Sequence, residues 1–382
     1  MKPSRNRRAS TQPPEAETLQ KLAAGLAESG CRAEDAFWEK HLEEALDAVF
    51  AEGDENVLVN ALDGLYEKQQ RAYEVLADSI ESRAEEAGVL LLAAPVLAWS
   101  RFEIPSGRIP AAILKDLSVH LRAHVLAEGV QLGIADMLFS PDQLPQGFCE
   151  TAGFTRAIAA AAEADGVMKV DEKSLPETGR FLSDVRYILA AVKAGKAQPI
   201  FRWQEADGSR AHALAQWKQQ GGACLAPMLP GCAIEPELPD AFFAACRQSD
   251  RASRPFSIMA STAFLSTTLD VEPEKLRAVV AVFRDQQVEE LRIGFTLAER
   301  SEVVHGVVWP LLGPDEEAAE AFVQIEASLR QVGIRIIEQL DQRFPLEYCD
   351  DCGAPMYPSP EGEAMHAELP EDRAGQMPRH LH

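Results

Sequence analysis

Val96-Leu97-Ala98-Trp99, Ile200-Phe201-Arg202-Trp203 and Val307-Val308-Trp309 are apolar runs that each end in tryptophan, with the three tryptophans spaced 104 and 106 residues apart. Runs this short, bounded by turn residues, read as strands. A turn follows each one: Pro105-Ser106-Gly107, Asp207-Gly208-Ser209 and Gly313-Pro314-Asp315. Next comes a helical stretch, then a strand that closes near proline: Val130 to Phe139, Ala233 to Leu238 and Ile334 to Leu340. Ahead of the second and third tryptophans lie hairpin patterns. Asp184 to Leu189 turns at Ala194-Gly195-Lys196, and Glu290 to Phe295 turns near Glu299-Arg300-Ser301. Arg186 to Trp203 and Arg292 to Trp309 are both 17 residues. The pattern predicts an α+β protein built from two or three tandem ββαβ units, mainly antiparallel, with helical inserts at about 152–165 and 259–284. The competing reading is a set of similar strands with no repeat behind them.

Working outward, residues 15–87 place apolar side chains at helical spacing: Leu19, Leu22, Leu26; Phe37, Leu42, Leu46, Phe50; Val57, Leu58, Leu62, Leu65; Tyr73, Leu76, Ile80. Gly30, Gly53 and a capping Asp54 divide them into four short helices. The expected organisation is a basic arm at 1–14, a helical module at 15–87 and strand-Trp-helix-strand units at 88–150, 151–256 and 257–345. A CxxC tail at 346–382 ends the chain.

The 382 residues include 37 Lys and Arg against 60 Asp and Glu, a net charge of −23, with 46% hydrophobic residues. This is a globular composition. It argues against nucleic-acid binding through general electrostatics, which needs a cationic surplus. A protein partner or a small anionic ligand fits better. No run approaches the roughly 18 apolar residues of a membrane span, and the basic leader lacks a signal peptide's apolar core. Seven mostly scattered cysteines suit a reducing compartment, so a cytoplasmic location is expected.

Cys349-Asp350-Asp351-Cys352-Gly353-Ala354-Pro355, followed by His366, is the sharpest chemical signal. Two thiols on a tight C-x2-C-G turn can grip a tetrahedral Zn²⁺, with His366 as third ligand and Glu361, Glu363, Glu368, His380 or His382 as fourth. A redox dithiol or two unligated surface cysteines are the alternatives. Asp350 and Asp351 are expected to disfavour the thiolates electrostatically.

Asp116, His120 and His124, at i, i+4 and i+8, form a stripe on one helix, where half-buried histidines usually serve packing. Arg101, Arg108, Arg202 and Arg210 stand near two of the strand-to-helix turns and are the candidates for holding an anion. His305 is expected to face Gly294 across a hairpin as a satisfied core histidine. The first reading is a non-catalytic interaction or regulatory factor with a structural zinc site. The alternative is an enzyme acting on a small anionic metabolite in a cleft between units, with these arginines binding and His120, His124 or His305 moving protons.

Taken together, Leu92 to Trp99, His120 to Ala127, Leu229-Pro230-Gly231-Cys232, Leu238 to Phe243, Arg292 to Thr296, His305 to Leu311 and Cys349 to Pro355 resemble the DUF2863 family of uncharacterised bacterial proteins. The resemblance runs from about Leu19 to Glu371. It implies a bacterial, cytoplasmic protein and brings no catalytic residue with it.

Overall fold

The computed structural model describes residues 13–66, 68–86, 88–163, 166–285, 289–313 and 316–370. The basic residues of the expected arm, Pro314 and Asp315 of the third turn, and His380 and His382 lie outside the described residues.

The four expected helices are α1 (Pro14–Glu28), α2 (Arg32–Glu52), α3 (Glu55–Tyr66) and α4 (Gln70–Glu85). Gly53 ends α2 in the left-handed region at φ 72°, and the Asp54 carboxylate accepts the Asn56 amide at 3.1 Å. Their apolar stripes, Leu19, Leu46, Leu58 and Leu76 among them, meet in one core. Glu55 is one of the carboxylates that tie this module to the rest: it accepts the amides of Phe148 and Cys149, at 2.9 and 2.8 Å, at the start of α6 (Phe148–Glu163), while Glu81 and Glu85 of α4 meet Arg247 and the Phe243 amide. Negative charge at a helix N-terminus, bonded to amides that lack intrahelical partners, favours this docking.

In the first sheet β1 (Leu90–Trp99) lies between β5 (Ser183–Lys193) and β6 (Ala233–Pro236), with β3 (Gln131–Phe139) beyond β5, all in antiparallel register. The two-residue strands β2 (Gly107–Arg108) and β4 (Val167–Met168) pair with β3, and β7 (Asp240–Ala241) pairs with β1. One face packs on α5 (Ala111–His120), its π-helical continuation Leu121–Val125, and α7 (Arg210–Leu225). The other packs on α6 and the first half of α8 (Phe242–Leu269). Burial on both faces accounts for the unbroken apolar sequence of β1.

The second sheet has the order β10-β9-β8-β11, from β8 (Leu276–Arg284), β9 (Glu289–Leu297), β10 (His305–Pro310) and β11 (Ile336–Pro345). β8 to β10 form an antiparallel meander, and α9 (Ala318–Gln331) carries the chain across to β11, parallel to β8. One face buries Ile293, Phe295 and Trp309 against α9 and the second half of α8. The opposite face carries Phe283 and Phe344 and receives the C-terminal tail.

The segments 88–139 and 289–345 follow the expected order of strand, helix and strand. The middle unit departs from it. Ile200 to Trp203 is no strand: Phe201 makes an isolated bridge to Leu126, and Arg202–Gln204 form one 3-10 turn. Gln204 explains this, because its Oε1 accepts the amides of Ile200 and Phe201 at 2.8 and 2.9 Å, which a ladder would otherwise use. β8 falls inside the expected helical insert. As an inner strand it is a near-continuous apolar run, and such a run does not separate strand from helix by period. α6 crosses the boundary expected at 150/151 and α8 the one at 256/257. The three tryptophans occupy non-equivalent positions: the end of an inner strand, a turn off both sheets, and an edge strand.

Candidate metal centre

The tail leaves β11 at Pro345 and crosses the uncovered face of the second sheet. β9 and β10 prepare a flat seat for it. Gly294 and Gly306 stand opposite each other in register, and a Cβ on either would lie 2.2 Å from the Pro358 carbonyl oxygen or 2.3 Å from the Tyr357 ring. Tyr357–Pro358 (β12) therefore rests directly on the backbone and pairs with Ala364–Met365 (β13). His305 faces Phe295, one residue from the expected partner Gly294, because the β9–β10 connection is longer than a two-residue turn.

Arg292 locks the tail from below. Its side chain is fully buried; Nε donates to Glu290 at 2.6 Å, and Nη1 donates to the carbonyls of Glu347 and Met356 at 2.6 and 2.8 Å. The guanidinium stacks between Phe283 and Tyr348, 4.4 and 5.0 Å from the ring centroids. The anchored residues Glu347 and Met356 flank the cysteine turn on both sides.

In that turn the Cys349 amide donates to the Ala354 carbonyl at 2.7 Å and the Gly353 amide to the Cys349 carbonyl at 2.8 Å, with Gly353 at φ 73°. Positive φ is what a glycine after the second cysteine supplies. The β12–β13 hairpin returns His366 beneath the turn. Cys352 Sγ lies 3.2 Å from His366 Nε2, and the ligand atoms of Cys349, Cys352 and His366 all fall within 4.8 Å of one another. His366 Nδ1 faces Glu368 Oε1 at 3.3 Å, the kind of carboxylate partner that in metal sites orients an imidazole with its other nitrogen toward the metal. Such a donor set suits a soft divalent metal.

At Cys349 the electrostatics reverse the expectation from Asp350 and Asp351. Cys349 is held below the ordinary thiol pKa chiefly by the Cys352 amide, then by the Asp351 amide and the Cys352 side chain, while the Asp351 charge opposes weakly. Backbone donors folded toward the sulfur outweigh a carboxylate that water screens. Among the proposed fourth ligands, Glu368 sits behind the imidazole, and Glu361 hydrogen-bonds Ser301 and Ser359, with the Ser301 bond foremost in lowering its pKa.

The remaining candidates are dispersed. His305 Nε2 meets Ser261 Oγ at 3.0 Å among Phe264 and Phe295. His120 and His124 stack with ring centroids 5.7 Å apart, and His124 Nε2 pairs with Gln220 at 3.1 Å. Arg108 is paired with Asp136 and Arg210 with Asp240, and the two arginines line different cavities. Arg202 donates to the Arg122 carbonyl at 3.0 Å, and Arg101 keeps a buried Nε without a hydrogen-bond partner. Sequence reasoning missed Arg292, although a Glu290-x-Arg292 pair inside an apolar strand was a visible signal that charge is buried there.

Fold and cluster together define an α+β protein with a candidate metal centre in its tail. The chain matches the family described as Protein of unknown function (DUF2863) over residues 4–380 and belongs to that family. No curated protein and no solved structure matches it.

Proposed function

We propose that this chain is a non-catalytic interaction or regulatory factor of the bacterial cytoplasm, whose tail is fixed by a structural zinc ion on Cys349, Cys352 and His366. The observation that carries the reading is the convergence of these three ligand atoms within 4.8 Å. The Glu368 carboxylate behind His366 supports it, as a partner that orients an imidazole toward a metal. Zinc there would close a loop that Arg292 and the glycine seat have already brought near closure. The dispersal of the histidines and arginines favours surface-building over a reaction. No helix among the described residues is long and apolar enough to cross a membrane. All seven cysteines are free, which suits a reducing compartment.

The test is elemental analysis of the untagged chain purified without added metal, alongside Cys349→Ser/Cys352→Ser. The expected result is about one zinc per chain, lost in the variant. Absence of zinc from the unmodified chain, with both thiols freely titratable, overturns the reading.

A further inference from the structure

In a chain with so large a surplus of carboxylates, a cavity whose lining holds three cations and one carboxylate stands out. It opens between β2, the first turns of α5 and β4, and measures about 580 Å³. Arg108, Lys115 and Lys169 line it, and Asp136 is the one carboxylate among its lining residues.

That carboxylate is already committed. Asp136 is almost fully buried; one oxygen accepts the Val170 amide at 2.8 Å and the other is paired with Arg108. A second amino group of Arg108 donates to the Val170 carbonyl at 3.0 Å, so the guanidinium is fixed and largely neutralised. Lys115 and Lys169 have no carboxylate partner among the described residues. Two ammonium groups without a carboxylate partner therefore line one cavity of a chain whose net charge is −23. Like charges gathered at a concave surface attract and hold an anion.

The wall between them is apolar. Leu114 is buried, and Val167 is half exposed on the cavity side of β4. A bare inorganic anion would leave this wall wet. We propose that the cavity binds a small anionic amphiphile, a carboxylate or phosphate monoester with a short apolar tail. Lys115 and Lys169 hold the head, Leu114 and Val167 receive the tail, and Arg108 braces the rim through Asp136.

The proposal is independent of the metal centre, and its test uses the full chain. Isothermal titration calorimetry with hexanoate, hexyl phosphate, hexylammonium and inorganic phosphate is run on the unmodified protein and on Lys115→Glu/Lys169→Glu. Both lysines are exposed, so the variant is expected to keep its melting temperature, and Cys349→Ser/Cys352→Ser is expected to bind as the unmodified chain does. At least one of the two six-carbon anions should bind saturably at one site, and hexylammonium should not. The double reversal should weaken the binding by about tenfold or more, since two charge contacts become repulsive. Absence of saturable binding by both six-carbon anions overturns the proposal, as does an affinity the reversal leaves unchanged. Equal affinities for inorganic phosphate and hexyl phosphate overturn the role given to the apolar wall.

Discussion

The first sheet is sealed by helices on both faces, whereas the second has helices on one face and an irregular tail on the other. Each sheet nevertheless carries the same device on an inner strand: a buried arginine two residues after a carboxylate, Asp184-x-Arg186 in β5 and Glu290-x-Arg292 in β9. Arg186 donates to the carbonyls of Ile104 and Pro105, which lead from β1 toward α5, as Arg292 donates to those of Glu347 and Met356. The difference lies in what surrounds the device. Helices satisfy their own backbone and need only apolar contact, while a coil laid on a sheet has carbonyls that something must meet. On the second sheet the arginine, the glycine seat and the cysteine turn share that work.

The comparison predicts that damage to Arg292 stays local. Arg292→Ala leaves Glu290 buried without its cation and should cost about 3–5 kcal/mol in docking the tail, read as loss of hydrogen-exchange protection at 346–370. β1 and β5 should keep theirs. Uniform loss of protection throughout the chain would break the distinction between the two sheets.

A smaller effect is expected from Gly306→Ala, whose new methyl must displace the Tyr357 ring. Overpacking of this kind costs about 1–3 kcal/mol, and urea denaturation should register it. An unchanged midpoint would mean that the tail lifts off its seat freely.

The smallest effect sharpens the account of the first sheet, whose covering helix α8 is clamped by α4. Burial pushes the Glu85 carboxyl up to about 7, outweighing the Phe243 amide that faces it. The folded state therefore binds this proton more tightly than the unfolded chain, and its stability declines as pH rises from about 4.5 toward 7. Glu85→Gln should flatten that decline, as thermal melts at pH 5 and pH 8 would record. An unaltered slope would assign it to other groups.

Much of this was legible before any coordinates. The four N-terminal helices follow from their stripes and the Gly53-Asp54 stop and cap, and the order β10, α9, β11 from the run around Trp309. The cysteine turn with its distant histidine was readable because metal-ligating residues have few other reasons to be so spaced. Ile200 to Trp203 misled because one glutamine side chain outcompetes a strand ladder, a contest composition does not reveal. Glu55 at the head of α6 and Arg292 under the tail are partnerships across long stretches of chain. The Glu290-x-Arg292 pattern announces a buried charge, but nothing local announces which distant groups these residues meet.

Helix α8 has a consequence for the order in which the protein can be made. Its first half closes the core of strands already synthesised, but Ile258, Phe264 and Leu265 belong to a core whose strands lie further along the chain. At about 5–20 residues per second, that apolar half-helix emerges from the ribosome seconds before β8 to β10 arrive to cover it. The nascent chain thus passes through a stage in which its first sheet is finished while an adhesive helix projects from it, and a translational pause just after Leu269 would prolong that exposure.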